Sequence, residues 1–183
     1  RIFGLGNPII YEKNLLYGYQ PKKNQKVKRF RNYNITINSD NFRIYNKYVD
    51  YPKEIYFLGD SVTYGGSYID DKNIFSSKTC ENLLIKKINF SCFNAGVNAY
   101  GFENIINRYK YIFEKNTKSY YVITLIPGSF YRNYIQIDSL PYFTKSISDK
   151  LLKANIELLA FVIDKIRQKI RFSNRVSYKE NLN

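Results

Sequence analysis

The sequence predicts an α/β fold in which helices cover both faces of a parallel sheet. From residue 54 onward, short apolar runs alternate with helical ones. The runs are apolar throughout rather than on every second residue, as they are when a strand is buried on both faces. Each also ends on small or turn-forming residues: GDS after 54–58, NAG after 88–94 and PGS after 120–126.

The elements follow in order. Residues 1–31 read as irregular, punctuated by Gly4, Gly6, Pro8, Gly18 and Pro21. Within them PKKNQKVKRFR, residues 21–31, reads as a solvated basic loop or edge strand. Strict alternation follows, with Tyr33, Ile35 and Ile37 on one face and Asn34, Thr36 and Asn38 on the other, which predicts a half-buried strand. Asp40 and Asn41 suit a turn, including positive φ, and a return through Phe42, Ile44 and Tyr45 would complete a hairpin. Then come a strand over 54–58, a helix over 73–87, a strand over 88–94, a helix over 104–115 and a strand over 120–126. The second helix carries one apolar stripe: Ile105, Ile106, Tyr109, Ile112 and Phe113. A last helix over 148–171 spaces Leu152, Ile156, Leu159, Ile163, Ile166 and Ile170 close to a heptad, suited to its own sheet or to another chain. The chain thus divides into an extension with a β-hairpin, 1–50, and an α/β domain, 51–183.

Composition narrows the function classes. Lys and Arg number 29 against 15 Asp and Glu, a formal charge of +14. No nucleic-acid module accompanies that charge, and the abundance of Lys, Asn, Ile, Tyr and Phe is what AT-rich coding produces, so nucleic acid is not the expected partner. A basic patch near an anionic envelope polymer or membrane surface is more compatible. The longest apolar run, Leu158 to Ile163, is too short to span a bilayer. The chain opens on Arg1 rather than Met, so membrane association would come only through a segment outside these residues. Cys80 and Cys92 without any histidine cannot make a standard zinc site. They read as buried free thiols, or as one bridge if the chain works outside the cytoplasm. No phosphate-cradling glycine pattern follows the first parallel strand, and no cofactor is expected.

In open parallel sheets, sites form beyond the carboxyl ends of the strands. Three such ends are GDSVTYGG, NAGVNAYG and PGSFYRN. A serine displayed there can act as a nucleophile if a base takes its proton and N–H groups hold the developing oxyanion. Tyr64, Tyr68 and Tyr100 near these ends could line a sugar-stacking surface, although aromatics so placed more often belong to the core.

GDSVTYGG and NAGVNAYG resemble the first two blocks of the GDSL, or SGNH, hydrolase superfamily, ester hydrolases and acyltransferases with a flavodoxin-like three-layer α/β/α fold. The leader GNPIIYEKNLLYGYQPKKNQ and INSDNFR are similar to that of some bacterial members, and the resemblance spans roughly residues 3–133. It implies Ser61 as nucleophile, and Ser61 and Ala99 N–H groups in the oxyanion hole, with Ala99 where the family has glycine and Gly101 beside it as support. Asp60 would fix the turn. The third block departs, since Gly128 is followed by Ser129 where the family has asparagine, and Asn133 comes later. Ser129 could donate in its place. The fourth block, Asp-x-x-His, is missing, and Asp138 and Asp164 suit only solvated or capping roles.

Two explanations are open. Either the C-terminal strands and the histidine lie outside these residues, or the protein is a degenerate relative that binds without turnover. The resemblance implies a small acyl or acetyl ester, carbohydrate-linked or otherwise envelope-derived, as substrate of the complete protein. It predicts negligible serine-dependent activity for the 183 residues alone. The alternative is a binding module for an anionic polysaccharide or envelope partner.

Overall fold

A computed structural model describes residues 9–29, 32–66 and 68–136. The helix expected over 148–171 lies outside them, as do Asp138 and Asp164. Two antiparallel hairpins lead the fold. β1 (Tyr11–Asn14) pairs with β2 (Gly18–Pro21), and β3 (Gln25–Arg29) pairs with β4 (Tyr33–Ile37). The described part of residues 1–31 is therefore largely strand, which corrects the irregular reading. Gly18 and Pro21 stand at the two ends of β2, where they bound pairing instead of breaking it. β3 does keep the edge character expected of the basic stretch, with Lys26 and Lys28 exposed.

The hairpin expected between 33–37 and 42–45 forms in part. β4 pairs with β3, Val27 opposite Ile35. Asn41 takes φ +65°, as a turn residue can, and the returning segment meets β4 at one antiparallel bridge, Ile37 with Arg43, closed by Asn38 N donating to Phe42 O at 2.9 Å and Ile44 N to Thr36 O at 3.0 Å. Arg43 bridges Ile37 on one side and Asn94 on the other, donating to Asn94 O at 2.9 Å and accepting from Asn94 N at 3.0 Å. Its backbone is spent joining the hairpin to the sheet, and this leaves no continuous second strand.

The α/β expectation holds. β5 (Glu54–Leu58) is the centre of a parallel three-stranded sheet with β6 (Ser91–Asn94) on one side and β7 (Tyr120–Ile123) on the other. The helices are α1 (Ser61–Tyr64), α2 (Phe75–Ile85), α3 (Phe102–Lys115) and α4 (Pro127–Phe130). Period-two alternation in β5 serves two faces. Ile55 and Phe57 join Cys80 of α2, Cys92 and Tyr48 in one core. Tyr56 points to the opposite face, its ring 5.3 Å from Phe42, 5.1 Å from Phe93 and 5.6 Å from Tyr121. Tyr121 in turn meets Tyr109 and Phe113 of α3. Helices thus cover both faces, and the described residues fall within one compact unit. Among them, no helix is long and apolar enough to cross a membrane, and no group of His, Cys, Asp and Glu could hold a metal ion.

The stripe of α3 is partly as expected. Ile105 and Ile112 are buried, but so is Arg108, whose guanidinium lies 5.4 Å from the Tyr17 ring and 5.6 Å from that of Phe42 and donates to Asn41 O at 3.0 Å. An arginine's planar group stacks on aromatic faces, so a charge survives on an otherwise apolar stripe.

Cys80 and Cys92 pair as a disulfide, with Cα atoms 6.5 Å apart, which replaces the free-thiol expectation. The bridge ties α2 to β6. Their separation is 12 residues, and closing a loop of that size stabilises by about 3 kcal/mol through the unfolded state. Reductant, or Cys80→Ser with Cys92→Ser, is expected to lower the urea midpoint accordingly. An unchanged midpoint would show that the bridge adds nothing.

Candidate active site

The residues after β5 form a tight corner. Asp60 caps the single turn α1, its Oδ1 accepting from Val62 N at 2.9 Å and its carbonyl from Tyr64 N at 2.9 Å. Gly65 ends the turn at φ +81°, a left-handed position that glycine adopts freely, and donates to Ser61 O at 3.0 Å. Cap, turn and stop come directly from the order Asp-Ser-Val-Thr-Tyr-Gly. Ser61 begins the turn half-buried. Among the described residues, its hydroxyl and its N–H have no hydrogen-bond partner.

The second loop packs against this corner. Ala95 N donates to Phe57 O at 2.8 Å and Val97 N to Gly59 O at 3.1 Å, so β6 pairing runs on into the loop. Gly96 lies where a Cβ would come within 2.6 Å of Tyr64 N and 2.8 Å of Thr63 Cβ, a spacing only glycine permits. Buried Asn94 locks the junction. Its Nδ2 donates to Thr63 O at 2.6 Å and its Oδ1 accepts from Gly96 N at 3.0 Å.

Ala99 takes φ +66°, costly for a residue with a Cβ. Its neighbours are held from outside by the first hairpin. Asn98 O accepts from the Tyr19 hydroxyl, Asn98 Nδ2 donates to the Tyr11 hydroxyl at 3.1 Å, and the Tyr100 hydroxyl donates to Tyr19 O. Burial pushes the Tyr19 and Tyr100 hydroxyls well above their ordinary pKa, so both stay protonated donors. Asn104, fully buried, closes the loop by accepting from Gly101 N at 3.3 Å and donating to Tyr17 O at 3.1 Å. Strain at Ala99 persists because the surroundings fix both sides of it. No acceptor among the described residues takes the Ala99 N–H.

The third loop is joined by a residue the sequence reading missed. Arg132 Nη1 donates to Asp60 Oδ2 at 2.9 Å and to Tyr100 O at 3.0 Å, and its backbone carbonyl lies 2.6 Å from where a Gly101 Cβ would stand. One guanidinium therefore ties all three strand-end loops together. Asp60 is 1 % exposed, and a buried carboxylate demands a cation, a need that only the structure reveals. Among the three strand-end segments GDSVTYGG, NAGVNAYG and PGSFYRN, the last alone carries a basic residue, Arg132, and that was the signal available. Ser129 is fully buried, its N–H donates to Ile126 O at 2.8 Å, and its hydroxyl has no partner. Only that hydroxyl is available as a donor. Asn133 is exposed. Tyr64 and Tyr100 are core residues, which leaves Tyr68 as the exposed member of the expected sugar-stacking trio.

A second buried arginine supports the corner from behind. Arg43 Nε meets Asp71 Oδ1 at 2.8 Å, while its Nη1 donates to Tyr64 O at 2.9 Å and Gly66 O at 2.6 Å and its Nη2 to Ile69 O. Burial pushes the Asp71 carboxyl up to about 6, against the lowering effect of Arg43. A cleft of about 410 Å³ lies elsewhere, lined by Lys26 and Lys28 of the second hairpin and by Asp70.

Comparison of the chain with family models, curated proteins and solved structures finds no match.

Proposed function

We propose that the corner at Ser61 is the nucleophile site of an SGNH-type ester hydrolase or acyltransferase acting on a small acyl ester, completed by a histidine from outside these 183 residues. The observation that carries the reading is the half-exposed Ser61 at the carboxyl end of the central strand, with its own N–H and that of Ala99 lacking acceptors. The strand order β6-β5-β7 supports it, since it is the opening 2-1-3 order of a flavodoxin-like sheet. In such sheets the ligand crevice lies between the first and third strands, here β5 and β7.

In this reading the Ser61 hydroxyl attacks the acyl carbonyl and gives its proton to the histidine. The carbonyl oxygen gathers negative charge, which the Ser61 and Ala99 N–H groups receive, with the Ser129 hydroxyl as a third donor. Collapse expels the alcohol, which takes the proton from the histidine. Water, or an acceptor alcohol, then releases the acyl group from Ser61. Asp60 touches no substrate; it shapes the turn and anchors Arg132. No cofactor takes part.

A phosphonofluoridate probe tests this on a chain that includes the histidine. Attack by Ser61 Oγ forms an O–P bond and releases fluoride, so peptide mapping should find the adduct on Ser61. An adduct elsewhere, or none, ends the reading.

A second reading, a non-catalytic binder of an anionic envelope polymer, rests on the lack of any histidine and on Lys22, Lys23, Lys26 and Lys28 exposed at and beyond the end of β2. The disulfide supports an oxidising compartment under either reading. Affinity for acidic polysaccharide that falls with salt, together with no turnover by any longer form, would favour the second.

A further inference from the structure

Two aromatic rings lie open on the loops that Arg132 ties to the Ser61 corner. Phe102 directly follows Gly101 of the second loop, and Phe130 directly follows Ser129 of the third. Their rings stack with centroids 5.2 Å apart and planes 24° from parallel, and they remain 38 % and 59 % exposed. Burial would stabilise either ring by about 2 kcal/mol, so exposed phenylalanines gathered in one patch mark a surface that something covers. Their place is fixed by the Arg132 clamp, which joins the loop of Phe130 to Asp60, next to Ser61, and to Tyr100, two residues before Phe102.

We propose that this pair is the platform for an uncharged sugar ring whose acyl ester is presented to Ser61, an inference that rests on the ester-hydrolase reading for its second half only. A pyranose offers a flat face of C–H groups that lies on an aromatic ring, and hydroxyls around its edge that need hydrogen-bond partners. Both demands are met. Arg132 spends Nη1 on Asp60 and Tyr100, while its Nη2, 3.7 Å from where a Gly128 Cβ would stand, and its Nε have no partner among the described residues. In the proposal those N–H groups would donate to the hydroxyls of a sugar lying on the outer face of the more exposed ring, Phe130.

The local charge selects among occupants. The Arg132 charge is matched by Asp60, and exposed Glu103 stands beside Phe102. A phosphate backbone gains nothing there, whatever the net +14 of the chain. The second and third strand-end segments, NAGVNAYG and PGSFYRN, which precede Phe102 and carry Phe130, contain no lysine. A purely aliphatic chain would leave the free guanidinium donors and Glu103 unsatisfied at the contact.

The chain lacks tryptophan, so Phe130→Trp places a single reporter in the platform. Cellotriose titrated into this variant is expected to shift its emission. In calorimetric or NMR titrations, Phe130→Ala and Phe102→Ala should each weaken cellotriose about tenfold relative to the parent, with unfolding midpoints showing that the exposed positions leave the fold intact. Equal affinity in both alanine variants overturns the platform. So does binding of hexathymidylate or octanoate, but not cellotriose, in a Phe130-dependent way. Sugar binding needs neither Ser61 nor a base. Cellotriose bound equally by Ser61→Ala, with no turnover by a histidine-containing chain, would sink the hydrolase reading and leave the platform standing; Ser61-dependent turnover without sugar binding would do the reverse.

Discussion

Ser61→Ala is expected to lower hydrolysis of 4-nitrophenyl acetate by about 10³–10⁶-fold in kcat/KM in a chain that includes the histidine, because a nucleophile and its base act as a unit. The backbone amides at positions 61 and 99 remain after the change, so some turnover above water persists. Stability should move by less than about 0.5 kcal/mol, since the hydroxyl has no partner among the described residues and is half-exposed. Loss of activity with an unchanged unfolding midpoint separates chemistry from folding. The 183 residues alone, having no histidine, should show no difference between parent and variant. Equal turnover in the longer chain would remove Ser61 from the reaction.

Arg43→Ala carries the largest expected cost to the fold. Arg43 is fully buried and supplies four side-chain bonds, to Asp71, Tyr64, Gly66 and Ile69. Removing it leaves three carbonyls without that donor and a buried carboxylate without its cation, held only by Thr36, which costs about 3–5 kcal/mol, a large share of the 5–15 kcal/mol typical of a domain. Arg43→Lys should recover only part of this, because one ammonium cannot reach acceptors spread over residues 64–71.

The loss should depend on pH, and its sign follows from Asp71. The folded Asp71 pKa is raised, to about 6, so its contribution to stability is complete below the unfolded value near 4 and is lost as pH rises through about 6. Without Arg43 the carboxyl rises further, and its neutral form no longer needs the guanidinium. Urea titrations should therefore find Arg43→Ala less destabilised at pH 5 than at pH 8. A loss below about 1 kcal/mol, or one equal at both pH values, would contradict the burial argument.

What was legible in the sequence was local. The apolar run ending in Gly-Asp-Ser sets a buried strand with a turn fixed by Asp60 at its end, and the structure forms both there. Asn41 was readable as a positive-φ turn and β3 as an edge strand, because each depends on a few neighbouring side chains. Ala99 at φ +66° was not, since alanine disfavours that conformation and only the tyrosines of the first hairpin hold it.

The partners of distant residues were decided by the tertiary structure. Arg132 reaches Asp60 across 72 residues and Arg43 reaches Asp71 across 28, while β4 pairs with β3 along its whole length and with the segment that follows it at one bridge. Periodicity records which side of an element is apolar. It does not record which buried charge finds which counter-charge, because that choice is made by the geometry of packed loops after the strands have assembled. The sequence alone determined the corner that displays Ser61, and tertiary structure decided what surrounds it: the clamp, the strained amide of Ala99 and the open phenylalanine pair.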